Sequence, residues 1–393
     1  MPKFVNPYNF VRSEYDSNKT APPLPHDRLH VGQYTGRIVC TLQTFTRVTS
    51  KSFEETASGQ DRNLIYGSSL KGLFRSVAET VACACYAVGD DRSRCQSVKR
   101  LCICCRIFGW MPKGNADVHL GRVQIGDARP LNGPPHISQT FIENQALSNP
   151  KERHNAFYRL NGNPRGRKFY YHHSPEGVVN GLTNNPRDAR GRGNDRIYVV
   201  SAGELFSFQV DFADLTAPEL GLLLYALQLE DGLFHKFGKG KPLGFGSIKI
   251  TVETIGLLPR DRYEQWDSRL TPMEELPETI LLPAGREAAR RGTTSAEGGD
   301  SVAWKDATPE QKRVRFIAMV IESFFITQFG KHYDERLDLT HMSDLHHMLS
   351  RHEDYLIHYP SKSWFVSHPN KGLPTLEDIE GNAPGDRSGW LEE

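Results

Sequence analysis

Six of the seven cysteines fall between Cys83 and Cys105. Cys95, Cys102 and Cys105 follow the spacing C-x6-C-x2-C, and Cys83, Cys85 and Cys104 stand close to them in the chain. A C-x2-C pair can grip one tetrahedral ion, because the short loop sets its sulfurs about 3.5–4 Å apart around a metal with Zn–S near 2.3 Å. Cys85, at the end of a preceding helix, is taken as the fourth ligand, with Cys83 and Cys104 as alternatives. Arg94, Lys99, Arg100 and Arg106 flank the group and favour thiolates, and no carboxylate base accompanies an open coordination position. The expectation is a structural zinc. An odd, bunched set of thiols also fits a reducing compartment better than a disulfide framework. Redox exchange through Cys102 and Cys105 lacks a thioredoxin-like setting, and Cys40 stands alone as a small buried apolar residue.

Three further stretches carry usable chemistry. GKGKPLGFG lacks Walker spacing, but its glycines permit close backbone approach, and Lys239 and Lys241 could cradle phosphates. RGRKFYYHH interleaves Arg165, Arg167 and Lys168 with aromatics, a combination that grips a nucleic-acid strand by phosphate contact and base stacking. Lys71 and Arg75, four apart, share a face near the start of a predicted helix. Each has a plain alternative: a steric turn, a solvated loop, a solvated helix face. The polar run SKSFEETASGQDRN reads as a loop of about fourteen residues, long enough to suspect function, and it holds Glu54, Glu55 and Asp61.

Elements must position these groups. Residues 1–34 are Pro- and Asn-rich and read as an extended, docked lead-in. TGRIVCTLQTFTRV alternates, with Ile38, Cys40 and Leu42 on one face of a strand. SSLKGLFRSVAETVACACYAV reads as a helix capped by Ser68 or Ser69, burying Leu70, Phe74, Val77 and Val81. Strands follow at VHLGRVQIGDA and ELFSFQVDF, an amphipathic helix at APELGLLLYALQLED with Leu220, Leu223, Leu224 and Leu227 inward, and a last strand after the glycine loop. That order predicts an α+β class, a ferredoxin-like or RRM-like βαββαβ body over 35–256. It carries a zinc segment (83–105) and a long irregular basic insertion (131–200). A polar linker (257–310) and a helical appendage (311–393) complete the chain. The His-rich run 341–358 lacks the H-E-x-x-H pattern, so no second metal is expected there.

With 393 residues there is room for more than one core, and a formal net charge of +1 excludes a basic-tail or acidic disordered protein. Residues 1–250 nevertheless hold 32 basic and 22 acidic residues against 16 and 25 in 251–393. A polyanion partner is therefore expected on the first part. No apolar run suits a membrane span and MPKFVNPYNF has no signal-peptide core, so a cytoplasmic location with no membrane partner is expected.

GSSLKGLFRS, then CRIFG, GRVQIGDA and GKGKPLGFG, in this order over about residues 35–255, resemble the RAMP superfamily of CRISPR-associated proteins. More narrowly, they resemble backbone subunits of type III effector complexes, and FVNPYNFV with RGRKFYYHH resembles an insertion-bearing branch. The resemblance implies a modified RRM-like fold and partners that include guide RNA, complementary target RNA and other RAMP subunits. It implies guide contacts at Ser69, Lys71, Arg75, Lys239, Lys241, Gly244 and Gly246, and zinc at Cys95, Cys102 and Cys105. Some such subunits cut target RNA through a loop aspartate with Mg2+ or Mn2+. The family's Gly-Gly-x-Asp surround is absent here, which leaves Asp61, Glu54 and Glu55 as the catalytic candidates.

Overall fold

The computed structural model describes residues 5–28, 30, 33–59, 63–86, 94–112, 117–143, 155–160, 163–173, 194–258, 270–275 and 303–353, with isolated positions between 355 and 376. Asp61, residues 174–193 of the insertion and most of 257–310 lie outside them.

The central strand is β2 (Tyr34–Thr44), which follows β1 (Tyr8–Val11). Its alternation is the one expected from the sequence, with Ile38, Cys40 and Leu42 fully buried and Gln43 exposed. The other main members of this seven-stranded sheet are β3 (Val123–Ile125), β7 (Leu205–Leu215), β8 (His235–Lys236) and β9 (Ser247–Leu257), with two-residue strands at Arg129–Pro130 and Thr271–Pro272 added on β7 and β9. Between β3 and β7 come β4 (Ile137–Glu143), β5 (Arg167–Tyr170) and β6 (Asn194–Val200). The sheet runs β8-β9-β2-β7-β3 with every pair antiparallel. Cys40 sits between Phe208 and Val252, so a one-residue slip would turn its apolar face to the wrong side.

Two helices follow β2 directly: α1 (Lys51–Ala57) and α2 (Gly67–Val81). The first replaces the expected loop. Phe53, fully buried, anchors its underside, and Ser52 donates to Ser50 Oγ at 2.9 Å. Helix α2 buries Leu70, Phe74, Val77 and Val81 as expected, but neither Ser68 nor Ser69 caps it. The cap comes from far along the chain: Gly67 N–H donates to Asp127 Oδ1 at 2.8 Å. A side chain at Gly67 would put its Cβ 2.1 Å from Ile125 O, so only glycine lets the helix start this close to the strand. The helix stops at Val81 because Cys83 adopts a left-handed φ of 47° and turns the chain.

After the six-residue α3 (Ile103–Phe108), α4 (Ala217–Gln228) starts with a Thr216/Glu219 capping box. It is buried all round rather than amphipathic: Leu222, Tyr225 and Ala226 are as enclosed as Leu220, Leu223, Leu224 and Leu227. The reason is α5 (Pro309–Phe329), which covers the face away from the sheet. A Cβ on Gly221 would lie 1.9 Å from Val320 O. Phe316, Val320, Phe324 and Phe325 of α5, with Met342, Leu345, Met348 and Leu349 of α6 (Thr340–Leu349), join the same apolar core. Residues 309–349 are thus packed into the body, not appended to it.

The insertion is more regular than its composition suggests. Strand β4 pairs with β6, and β5 pairs with β1 so that Tyr8 faces Tyr170 and Val11 faces Arg167. No helix among the described residues is long and apolar enough to cross a membrane.

Candidate functional site

The left-handed turn at Cys83 brings Cys85 back toward α3, whose N-cap is Cys102 and whose first turns carry Cys104 and Cys105. The sulfurs of Cys85, Cys95, Cys102 and Cys105 all lie within 4.8 Å of one another, and all four residues are buried. Cys85 to Cys105 is 3.4 Å and Cys102 to Cys85 is 3.6 Å, against about 3.8 Å for two thiolates on a tetrahedral ion with Zn–S of 2.3 Å. Cys102 N–H donates to Cys95 Sγ at 3.2 Å, as backbone amides do to metal-bound sulfur. Hydrogen bonds from Cys102, Cys105 and Cys85 hold the Cys95 thiol well below its ordinary range. Cys104 and Cys83 stand outside the quartet, and burial pushes the Cys104 thiol well up. Four convergent sulfurs with no His or carboxylate could hold a metal ion in a closed site. Among the described residues no second such group of three or more ligands occurs, the His-rich run included.

Two expected RNA contacts are committed to this centre instead. Arg75 binds Glu79 Oε1 through Nε at 2.7 Å, Gly109 O through Nη1 at 3.0 Å and Cys105 Sγ through Nη2 at 3.7 Å. Arg167 binds Glu79 Oε2 at 2.7 Å, donates to Ala84 O at 2.8 Å and Cys85 O at 3.0 Å, and stacks over Tyr86 at 4.0 Å. Glu79 is therefore a buried bridge between two guanidinium groups. Lys71 also turns inward: its Nζ donates to Val123 O at 3.1 Å, and burial, then Arg75, lowers its pKa.

The remaining cations meet elsewhere. A cleft of about 420 Å³ is lined by Lys51 of α1, Ser69, Gly72 and Ser76 of α2, Lys168 and Tyr170 of β5, His235 and Lys236 of β8, and Lys239 and Lys241 of the glycine loop. Lys168 is caged by tyrosines, 3.6 Å from the Tyr8 ring centre and 4.9 Å from that of Tyr170, while its Nζ donates to Tyr158 OH at 2.9 Å. Lys239 pairs with Glu54 at 2.6 Å at the rim. Glu55 is engaged by Tyr66 OH and by Lys51 at 3.5 Å. Arg165 is exposed over Phe157 and lies outside the cleft lining. The glycines shape the loop: Gly244 has φ 83°, and Gly246, φ 87°, would place a Cβ 1.9 Å from Phe237 O. Sequence reasoning missed Lys51 and Lys236. The signal for the second was a lysine alternating with apolar residues just ahead of the glycines in FHKFGKG.

Comparison with known proteins adds one finding. Residues 54–249 match the model of the RAMP superfamily. That stretch is similar to the RAMP superfamily. The RAMP match runs from α1 into β9 and so encloses the cysteine quartet and most of the cleft lining. Its α+β content is that of a RAMP fold. A chain of a solved structure described as a "Type IV-B CRISPR Complex" is 15% identical, with a TM-score of 0.30, covering 55% of this chain and 90% of that one. No curated protein matches.

Proposed function

We propose that this chain is a guide-RNA-binding backbone subunit of a type III CRISPR ribonucleoprotein that recognises complementary target RNA in antiviral defence. The observation that carries it is the cleft: Ser69, Lys168 and Lys239 with Lys241 arrive from three separate segments of the RAMP region, Lys51 joins them from just before it, and all face one groove. The element order β2, α2, β3, β7, α4, β9 supports reading the body as a modified ferredoxin-like fold. In the same reading the cysteine quartet holds one structural zinc, and the acidic residues beyond 250 face protein neighbours, other RAMP subunits among them.

The test is binding of single-stranded RNA across a salt series. Lys168→Gln, Lys239→Gln and Lys241→Gln together are expected to lower the slope of log K against log salt by about 2, since each single-strand phosphate contact contributes about 0.7. Unchanged affinity and slope would remove the cleft from the RNA path.

A second reading is a metal-dependent endoribonuclease cutting the target opposite the guide. The observation favouring it is Glu54, whose carboxylate reaches Lys239 at the cleft rim. Mg2+ or Mn2+ would be held by Asp61, Glu54 and Glu55. Asp61→Ala, Glu54→Ala and Glu55→Ala in the assembled particle test it. Loss of one cut site with target binding intact is the expected outcome, and identical cleavage by all three variants ends this reading.

A further inference from the structure

The cleft floor contains two lysines that the protein does not neutralise. Lys236 is 5% exposed and lies in β8, paired with Ser247 across the sheet edge. Its Nζ reaches Ser247 Oγ only at 3.4 Å, and that hydroxyl is already held by His172 Nδ1 at 2.8 Å. Lys241 lies beside it in the turn Lys241–Leu243, where burial lowers its pKa. Burial, then the neighbouring Lys241 and Arg351 cations, pushes Lys236 well below the lysine range. Among the described residues no carboxylate lies within ion-pair distance of either lysine. At the rim, by contrast, Lys239 has Glu54, and the neighbouring Arg351 has Glu353. His235, also on the floor, contacts Leu227 O through Nε2 at 2.9 Å and is neutral, its pKa lowered by burial to about 4. It adds no anion.

Buried cations are ordinarily paired, because an uncompensated one is costly. Two side by side, opening on a cleft of about 420 Å³, make a site whose missing member is an anion. Compact ammonium groups suit a phosphate.

We propose that the cleft floor is a built seat for one phosphate group, held between Lys236 and Lys241. In the RNA-binding reading, on which this rests, that phosphate belongs to the strand in the cleft and is gripped more deeply than its neighbours. The same chemistry would accept free phosphate, so the test has two arms. In the first, a short single-stranded RNA is made neutral at one linkage at a time with methylphosphonate. Wild-type affinity is expected to fall about tenfold at one linkage, and Lys236→Met is expected to flatten that profile. In the second, inorganic phosphate is expected to raise the melting temperature of wild type but not of Lys236→Met. Ligand-free Lys236→Met should melt no lower than wild type, since the change removes a buried amino group that has no ion-pair partner among the described residues and keeps the volume. Lys241→Met repeats both arms at a less enclosed position should Lys236→Met misfold. A flat wild-type profile, or a profile and phosphate shift that survive both variants, overturns the seat. Phosphate stabilisation that depends on Lys236, without RNA binding, keeps the seat and defeats the RNA reading instead.

Discussion

Glu79→Ala is expected to destabilise the protein by about 3–5 kcal/mol, the cost of removing one partner from a buried ion pair and leaving the other charge behind. Here two charges are left. Glu79 binds Arg75 at 2.7 Å through one oxygen and Arg167 at 2.7 Å through the other. The side chains of Arg167 and Glu79 are 9% and 5% exposed, so solvent does not replace the lost partner. Arg167 lies in β5, whose next residue is Lys168, while Arg75 reaches Cys105 and Gly109. The substitution should therefore do two things at once: lower the melting temperature, and loosen β5 along with Lys168 on the cleft wall. Chemical denaturation reads the first and hydrogen exchange over 167–171 the second. A loss below about 1 kcal/mol, the scale of a surface pair, would mean the bridge is solvated and does not tie the two sites together.

Metal removal should have an effect of similar or greater size. In the zinc reading the purified protein carries one equivalent, and strong chelation or Cys102→Ser should collapse the segment around α3. Structural zinc in small peptides contributes apparent binding energies of about 10–16 kcal/mol, nearly all of which is folding energy. Cys102 is both a member of the quartet and the N-cap of α3, so its loss strikes the ion and the helix start together. Elemental analysis, followed by limited proteolysis of residues 83–110 with and without chelator, checks this. Protein free of metal, or equally protected in both conditions, would leave the quartet as four packed thiols.

Period-2 and period-3.6 patterns were legible because a single face decides them. Ile38, Cys40 and Leu42 in β2, and Leu70, Phe74, Val77 and Val81 in α2, are buried as their spacing requires. The quartet was legible because C-x2-C is local. What could not be read depends on partners far away in the chain. Asp127 caps α2 from 60 residues on, so Ser68 and Ser69 looked like the caps. Arg75 and Arg167 carry the same charge as any solvated arginine, and only the fold reveals that both converge on Glu79, 88 residues from Arg167. Helix α4 reads as amphipathic in sequence because Leu222 and Ala226 count as a second face only once α5 lies over them. Polar composition hid α1, where one residue, Phe53, supplies the burial.

The packing of α5 on α4 sets an order of events during synthesis. When the ribosome has released residue 257, all five strands of the main run β8-β9-β2-β7-β3 exist, yet Gly221 and the leucines around it still face water. Their cover, including Val320, has not been made. The nascent chain must carry a greasy, unsatisfied flank through at least another 60 residues of translation. A fragment ending where the sheet ends would keep that flank for good and should self-associate, however complete its strands.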